Sequence, residues 1–166
     1  MKKMMSILLV FCFLGSCLIA STVFASDATS TFNLTAGDLT LDEIPSDFDY
    51  GSEIVGTDNM MSNISIAAGA IEVTDARGGD GNWEVTAEAS DMLHSNGIYE
   101  LPIYDFTLKF GAGGWAHIHD SGSAVVWSKT GALGTHISPA GESWLMMGNT
   151  SDSLAGTYSG TITFTL

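Results

Sequence analysis

The chain has 166 residues, with 19 Asp and Glu against 5 Lys and Arg. That balance excludes nucleic acid as a partner, since such binding needs cations to neutralise phosphates, and it disfavours an anionic membrane surface for the same reason. Its two cysteines, Cys12 and Cys17, both lie near the start, so disulfides, catalytic thiols and thiolate metal sites are excluded from everything downstream.

The first element is a leader. Lys2 and Lys3 precede an apolar stretch from Met4 to Ala20, and Val23-Phe24-Ala25 supplies small residues at a cleavage position. This pattern predicts a secretory signal peptide over residues 1–25 and an extracellular destination. A rival signal overlaps it, because Leu14-Gly15-Ser16-Cys17 has the form of a lipoprotein box. Either way the mature chain keeps all 19 carboxylates against Arg77, Lys109 and Lys129. The acidity serves solubility, or matches a cationic partner or Ca²⁺.

Residues 26–166 are predicted to form one β domain, with 26–58 as an acidic, irregular lead-in or a segment that wraps the rest. Apolar residues recur at spacing two, the period of strands. In chain order, short strands are expected at Phe32–Leu34, Leu39–Leu41 and Asn63–Ala67. A hairpin is expected next. Ile71 and Val73 alternate with Glu72 and Thr74, Trp83 to Ala89 alternates likewise, and Gly78-Gly79-Asp80-Gly81-Asn82 lies between as a turn. Ser90 to Ser95 fits a single helical turn. A strand over Tyr104–Phe110 follows, then a glycine-rich turn at 111–114. Strands are further expected at Trp115–Ile118, Ala124–Ser128 and Trp144–Met147, with a turn at Ser138-Pro139-Ala140-Gly141. The chain closes on a strand in which Tyr158, Gly160, Ile162, Phe164 and Leu166 share one face and threonines dominate the other. No long capped helix follows the leader. The expected fold is an all-β antiparallel sandwich, Ig-like or barrel-like, with little helix and no transmembrane segment in the mature chain.

Catalytic signatures are missing. There is no phosphate-binding glycine loop, no nucleophile elbow and no His-Glu-x-x-His, so the protein is read as not an enzyme. A wall hydrolase would need two carboxylates facing each other across a cleft. His117 and His119, two apart on a predicted strand with Asp120 beside them, would share a face and could offer two nitrogen ligands to Zn²⁺ or Cu²⁺; two exposed histidines beside a turn are the favoured reading, because a closed site needs four ligands and only two are visible. Asp75, Asp80-Gly81-Asn82 and Asp47-Phe48-Asp49 offer hard oxygens to Ca²⁺, though none has the EF-hand spacing, and turn chemistry explains them as well. No cofactor is expected, with Ca²⁺ the one ion kept in view. Trp83 alternates with aliphatics and reads as core. Trp115 follows three glycines in four positions and reads as an exposed platform for a sugar ring or a partner.

Three stretches carry a family likeness. Gly37-Asp38-Leu39-Thr40-Leu41-Asp42-Glu43-Ile44-Pro45-Ser46 with Phe48-Asp49-Tyr50-Gly51 is the first. Val73-Thr74-Asp75-Ala76-Arg77-Gly78 followed by Trp83-Glu84-Val85-Thr86 is the second. Ala155-Gly156-Thr157-Tyr158-Ser159-Gly160-Thr161-Ile162-Thr163-Phe164-Thr165-Leu166 is the third. In order they resemble the WxL domains of Gram-positive cell surfaces, over most of the mature chain. The sequence departs from that pattern with Val85 in place of Leu and Phe164 in place of Trp, swaps that keep apolar bulk on the strand face. The resemblance implies Trp83, Val85, Tyr158, Phe164 and Leu166 as wall-binding motif residues. It also implies peptidoglycan as ligand and membrane-anchored companions as partners. No sorting motif or anchor follows Leu166, so attachment is expected to be non-covalent, or through the lipid of the rival leader. The expected function is therefore wall binding without catalysis. The alternative is a subunit of a surface complex, held by a membrane-anchored partner without touching the wall.

Overall fold

The computed structural model describes residues 31–56, 60–119 and 122–166. The predicted leader, with Cys12 and Cys17, lies outside them, as does Asp120. Contacts divide the chain into Met1–Leu34 and Thr35–Leu166. The strand expected at Phe32–Leu34 is absent, and the architecture below is that of Thr35–Leu166.

Among the described residues there are twelve strands and no helix, in a β-sandwich-like arrangement. They are β1 (Leu39–Glu43), β2 (Met61–Ile66), β3 (Glu72–Asp75), β4 (Trp83–Ala89), β5 (Leu93–His94), β6 (Ile103–Phe110), β7 (Ala116–His117), β8 (Ala124–Lys129), β9 (Gly134–Ile137), β10 (Gly141–Met147), β11 (Tyr158–Ser159) and β12 (Ile162–Thr165). All pairings are antiparallel, in sheets ordered β1-β3-β9, β2-β10-β6-β7, β12-β4-β8 and β11-β5.

Alternation builds the interior. Trp83, Val85, Ala87 and Ala89 of β4 are buried, as are Phe106, Leu108 and Phe110 of β6 and Leu145 and Met147 of β10. Each buried large side chain contributes about 1.5–3 kcal/mol relative to exposure. Tyr104 breaks the pattern and is 78% exposed. Met146 pairs with Asp105 and Met147 with Ile103, so Tyr104 is the extra residue of a bulge, and a bulge redirects its side chain.

The hairpin expected between Ile71–Thr74 and Trp83–Ala89 does not form. Val73 of β3 pairs with Leu41 on one side and His136 on the other. Val85 of β4 pairs with Trp127, and Ala87 pairs with Phe164. Each strand is central in its own sheet, so the 76–82 connection is a crossover. It is pinned where Ala132 N–H donates to Gly81 O at 2.9 Å. Gly81 has φ +62°, and a Cβ there would meet Ala132 N at 2.7 Å. Gly81→Ala is expected to destabilise the protein by about 1–3 kcal/mol. A urea midpoint unchanged from wild type would refute the tight approach.

The closing strand is two strands. Tyr158–Ser159 pairs with β5 and Ile162–Thr165 with β4. The break falls where Gly160 passes so close to Asp91 O that a Cβ would come within 2.9 Å of it. Thr161 N–H donates to Ser90 Oγ, and Ser90 N–H donates to Thr161 O, both at 2.9 Å. The helical turn expected at Ser90–Ser95 is replaced by β5, and β9 was not foreseen at all.

Within the lead-in, residues 39–50 pack on the sandwich. This stretch contains β1, and beyond it Phe48 stacks on Phe164 at 6.5 Å while Tyr50 meets Phe106 edge-on at 5.5 Å. The Tyr50 hydroxyl is hydrogen-bonded to Ser143 Oγ. Burial pushes that phenol well above its ordinary pKa, and the Ser143 bond offsets only part of the rise.

Candidate binding face

The β2-β10-β6-β7 sheet turns one face away from the core. Because side chains alternate, its register sets out the exposed face in rows. Ser65, Glu142 and Lys109 form one row. Asn63, Trp144, Thr107 and His117 form the next, and Met61, Met146 and Asp105 the third.

Two aromatics dominate this face. Trp115, at the entry to β7, is 39% exposed and meets the half-buried Trp144 edge-on, with centroids 6.0 Å apart and planes at 85°. Lys109 Nζ sits 4.5 Å from the Trp115 ring centroid and 3.6 Å from Glu142 Oε2. Cation–π attraction at such a site is worth about 0.5–1 kcal/mol and holds a ring that its glycine-rich approach would leave loose. Asp105 accepts from His117 Nδ1 at 2.8 and 3.0 Å. The indole N–H of Trp144 is buried with no hydrogen-bond partner among the described residues. Such a buried donor without a partner costs about 1–3 kcal/mol. Chemically, the face offers flat apolar rings beside carboxylates, an amide and one ammonium.

The motif residues lie elsewhere. Trp83 and Val85 are core residues, and Phe164 and Leu166 are half-buried against that core. Tyr158 packs edge-on to His94 at 5.1 Å, and its hydroxyl donates to Leu154 O at 2.9 Å and accepts from Leu154 N–H at 3.0 Å. Of the four tryptophans, Trp83 and Trp127 are buried in contact with each other, while Trp115 and Trp144 form the surface pair.

Compared with family models, with curated proteins and with solved structures, the chain matches none.

The expected metal ligands do not converge. His117 and His119 take different surroundings because β7 ends at His117. His117 is exposed against Asp105, whereas His119 is buried with Nε2 3.0 Å from Asp91 Oδ1. Asp75 is engaged by Arg77, which reaches Oδ1 with Nε at 3.0 Å and Oδ2 with Nη2 at 2.8 Å. Asp80 is exposed in the crossover. Among the described residues no three His, Cys, Asp or Glu side chains are grouped to hold a metal ion.

Sequence reading anticipated the exposure of Trp115 but not its grouping with Trp144, Lys109, Glu142 and Asp105 on one face. A signal existed in Glu142-Ser143-Trp144-Leu145-Met146-Met147. Period two there separates Glu142, Trp144 and Met146 from Ser143, Leu145 and Met147, but four consecutive apolar residues hide it.

Proposed function

We propose that this protein is a non-catalytic cell-surface domain that holds the bacterial wall non-covalently, with peptidoglycan glycan docking on the Trp115–Trp144 face. The observation that carries the reading is the edge-to-face pair of exposed Trp115 and half-buried Trp144 on the outer face of a hydrogen-bonded sheet. A pyranose ring presents an apolar C–H face that stacks on indole, while its hydroxyls find Asn63 in the same row and Asp105 and Glu142 in the adjoining rows. The likeness to WxL domains supports the same ligand. The scaffold position of Trp83, Val85 and Phe164 moves binding off those residues and onto the sheet face.

Sedimentation with insoluble peptidoglycan tests the proposal. Wild type is expected in the pellet, and Trp115→Ala and Trp144→Ala are expected to weaken binding roughly tenfold or more each, since such anchors contribute about 1–3 kcal/mol. Protein left wholly in the supernatant, with and without Ca²⁺, sinks the proposal. Sedimentation that appears only when a membrane-anchored companion is added would instead make the chain a subunit of a surface complex.

A further inference from the structure

On the opposite side of β10 from the tryptophan face, where Leu145 and Met147 point, lies a cleft of about 320 Å³. We infer that this cleft is a second binding site, which takes an apolar side chain of a partner's peptide segment bearing an adjacent Lys or Arg. The volume lies in the range of specific ligand pockets, about 300–1,000 Å³.

Its floor is apolar and adaptable. Leu145 and Met147 are buried, and Met60, Met92 and Leu101 pack half-buried against the core beside them. Methionine side chains have three rotatable bonds and a polarisable sulfur, so they mould to varied apolar guests. The lip is apolar too, with Ile54 79% and Leu154 42% exposed. Ser52, Glu53 and Ser153 stand among these apolar groups, so the cleft suits an apolar side chain with polar groups beside it.

Hydrogen bonds tie the walls to each other. Gly56 N–H donates to Thr150 Oγ1 at 3.0 Å, tying the 48–56 segment to the 150–158 segment. Tyr158 locks Leu154 through both its backbone groups. A preformed cleft avoids the ordering cost of binding.

Charge then selects the guest. Among the described residues the lining includes Asp49 and Glu53 and no Lys, Arg or His. The whole chain is strongly acidic. Fatty-acid carboxylates and anionic lipids are repelled from such a mouth, and a cation beside the apolar anchor is attracted.

The methionines supply the test. In protein carrying ¹³C-methyl methionine, acetyl-Leu-Lys-Leu-Lys-amide is expected to shift the Met60, Met92 and Met147 methyl signals saturably. Met61 and Met146, which belong to the other face, are expected to stay. Acetyl-Leu-Glu-Leu-Glu-amide and acetyl-Ser-Lys-Ser-Lys-amide are expected to leave all five unmoved. Asp49→Asn with Glu53→Gln is expected to weaken the response roughly threefold or more without relocating it. An equal response to the acidic or to the serine peptide overturns the inference, as does no saturable shift with the first. The readout is separate from sedimentation on peptidoglycan, so either proposal can fail alone.

Discussion

Truncating Trp83 to Ala lowers the free energy of unfolding by about 3–5 kcal/mol, read as a shift of the urea midpoint at unchanged slope. Trp83 is 4% exposed. Its ring meets Trp127 edge-on at 4.7 Å, and His136 lies 6.0 Å away. Its indole N–H donates to Ala132 O at 3.2 Å. The substitution removes all three at once and leaves a cavity beside Trp127 and His136. The aromatic pair alone accounts for about 0.5–1.5 kcal/mol beyond area burial. Trp83→Phe keeps the ring and loses the donor, so it falls between. The folded fraction of Trp83→Ala is expected to sediment with peptidoglycan as wild type does. Unchanged stability with lost sedimentation would reverse the assignment and return the motif Trp to the binding surface.

Removing the Arg77 side chain is the second large change, and its size depends on pH. Asp75 is 1% exposed, on β3 between two partner strands. The Arg77 guanidinium, bonded to both carboxylate oxygens, holds that carboxyl below its ordinary value of 3.8. Burial pushes the other way, while the Arg77 amide, the Arg77 charge and His136 add smaller downward effects. A folded pKa below the unfolded one means stability that is complete above 3.8 and is lost as pH falls through the lower folded value. In Arg77→Ala burial is left as the main influence, and a buried charge without its partner is strongly unfavourable. The variant is therefore expected to melt well below wild type at neutral pH, and the two melting curves are expected to converge on acidification below 3.8. A gap that stays constant from pH 7 to pH 3 would show that Arg77 acts through packing alone. Asp75→Asn is expected to remove most of the pH dependence from both backgrounds.

The strands were legible where one face is clearly apolar. β4, β6 and β12 announce themselves by alternation, because burying one face imposes period two. Their partners were not legible, since pairing is chosen by contacts far apart in sequence. The glycine-rich 78–82 segment looks like a hairpin turn, yet Val73 and Val85 both have better neighbours elsewhere. β9 reads Gly134-Thr135-His136-Ile137, an edge strand with no apolar face to reveal it. The break at Gly160 was invisible because Tyr158 through Leu166 keeps perfect alternation across it. For the binding face, Trp115 was found from its loop setting, but the Lys109 contact needs the β6–β7 register, which short sequence windows do not encode. The cleft joins residues from three separated stretches, and scattered methionines give no local sign of it.

β10 is the inner strand of its sheet, flanked by β2 and β6. It begins only at Gly141, although its neighbour β2 is complete by Ile66. During synthesis, β2 must wait some seventy residues for the strand that covers it, and β4 waits about as long for β12. Chains whose pairings span such distances fold slowly, because loop closure comes before any reward. A nascent chain of this protein therefore presents unsatisfied strand edges until almost its whole length has emerged. Its tertiary structure is therefore expected to form after synthesis rather than alongside it.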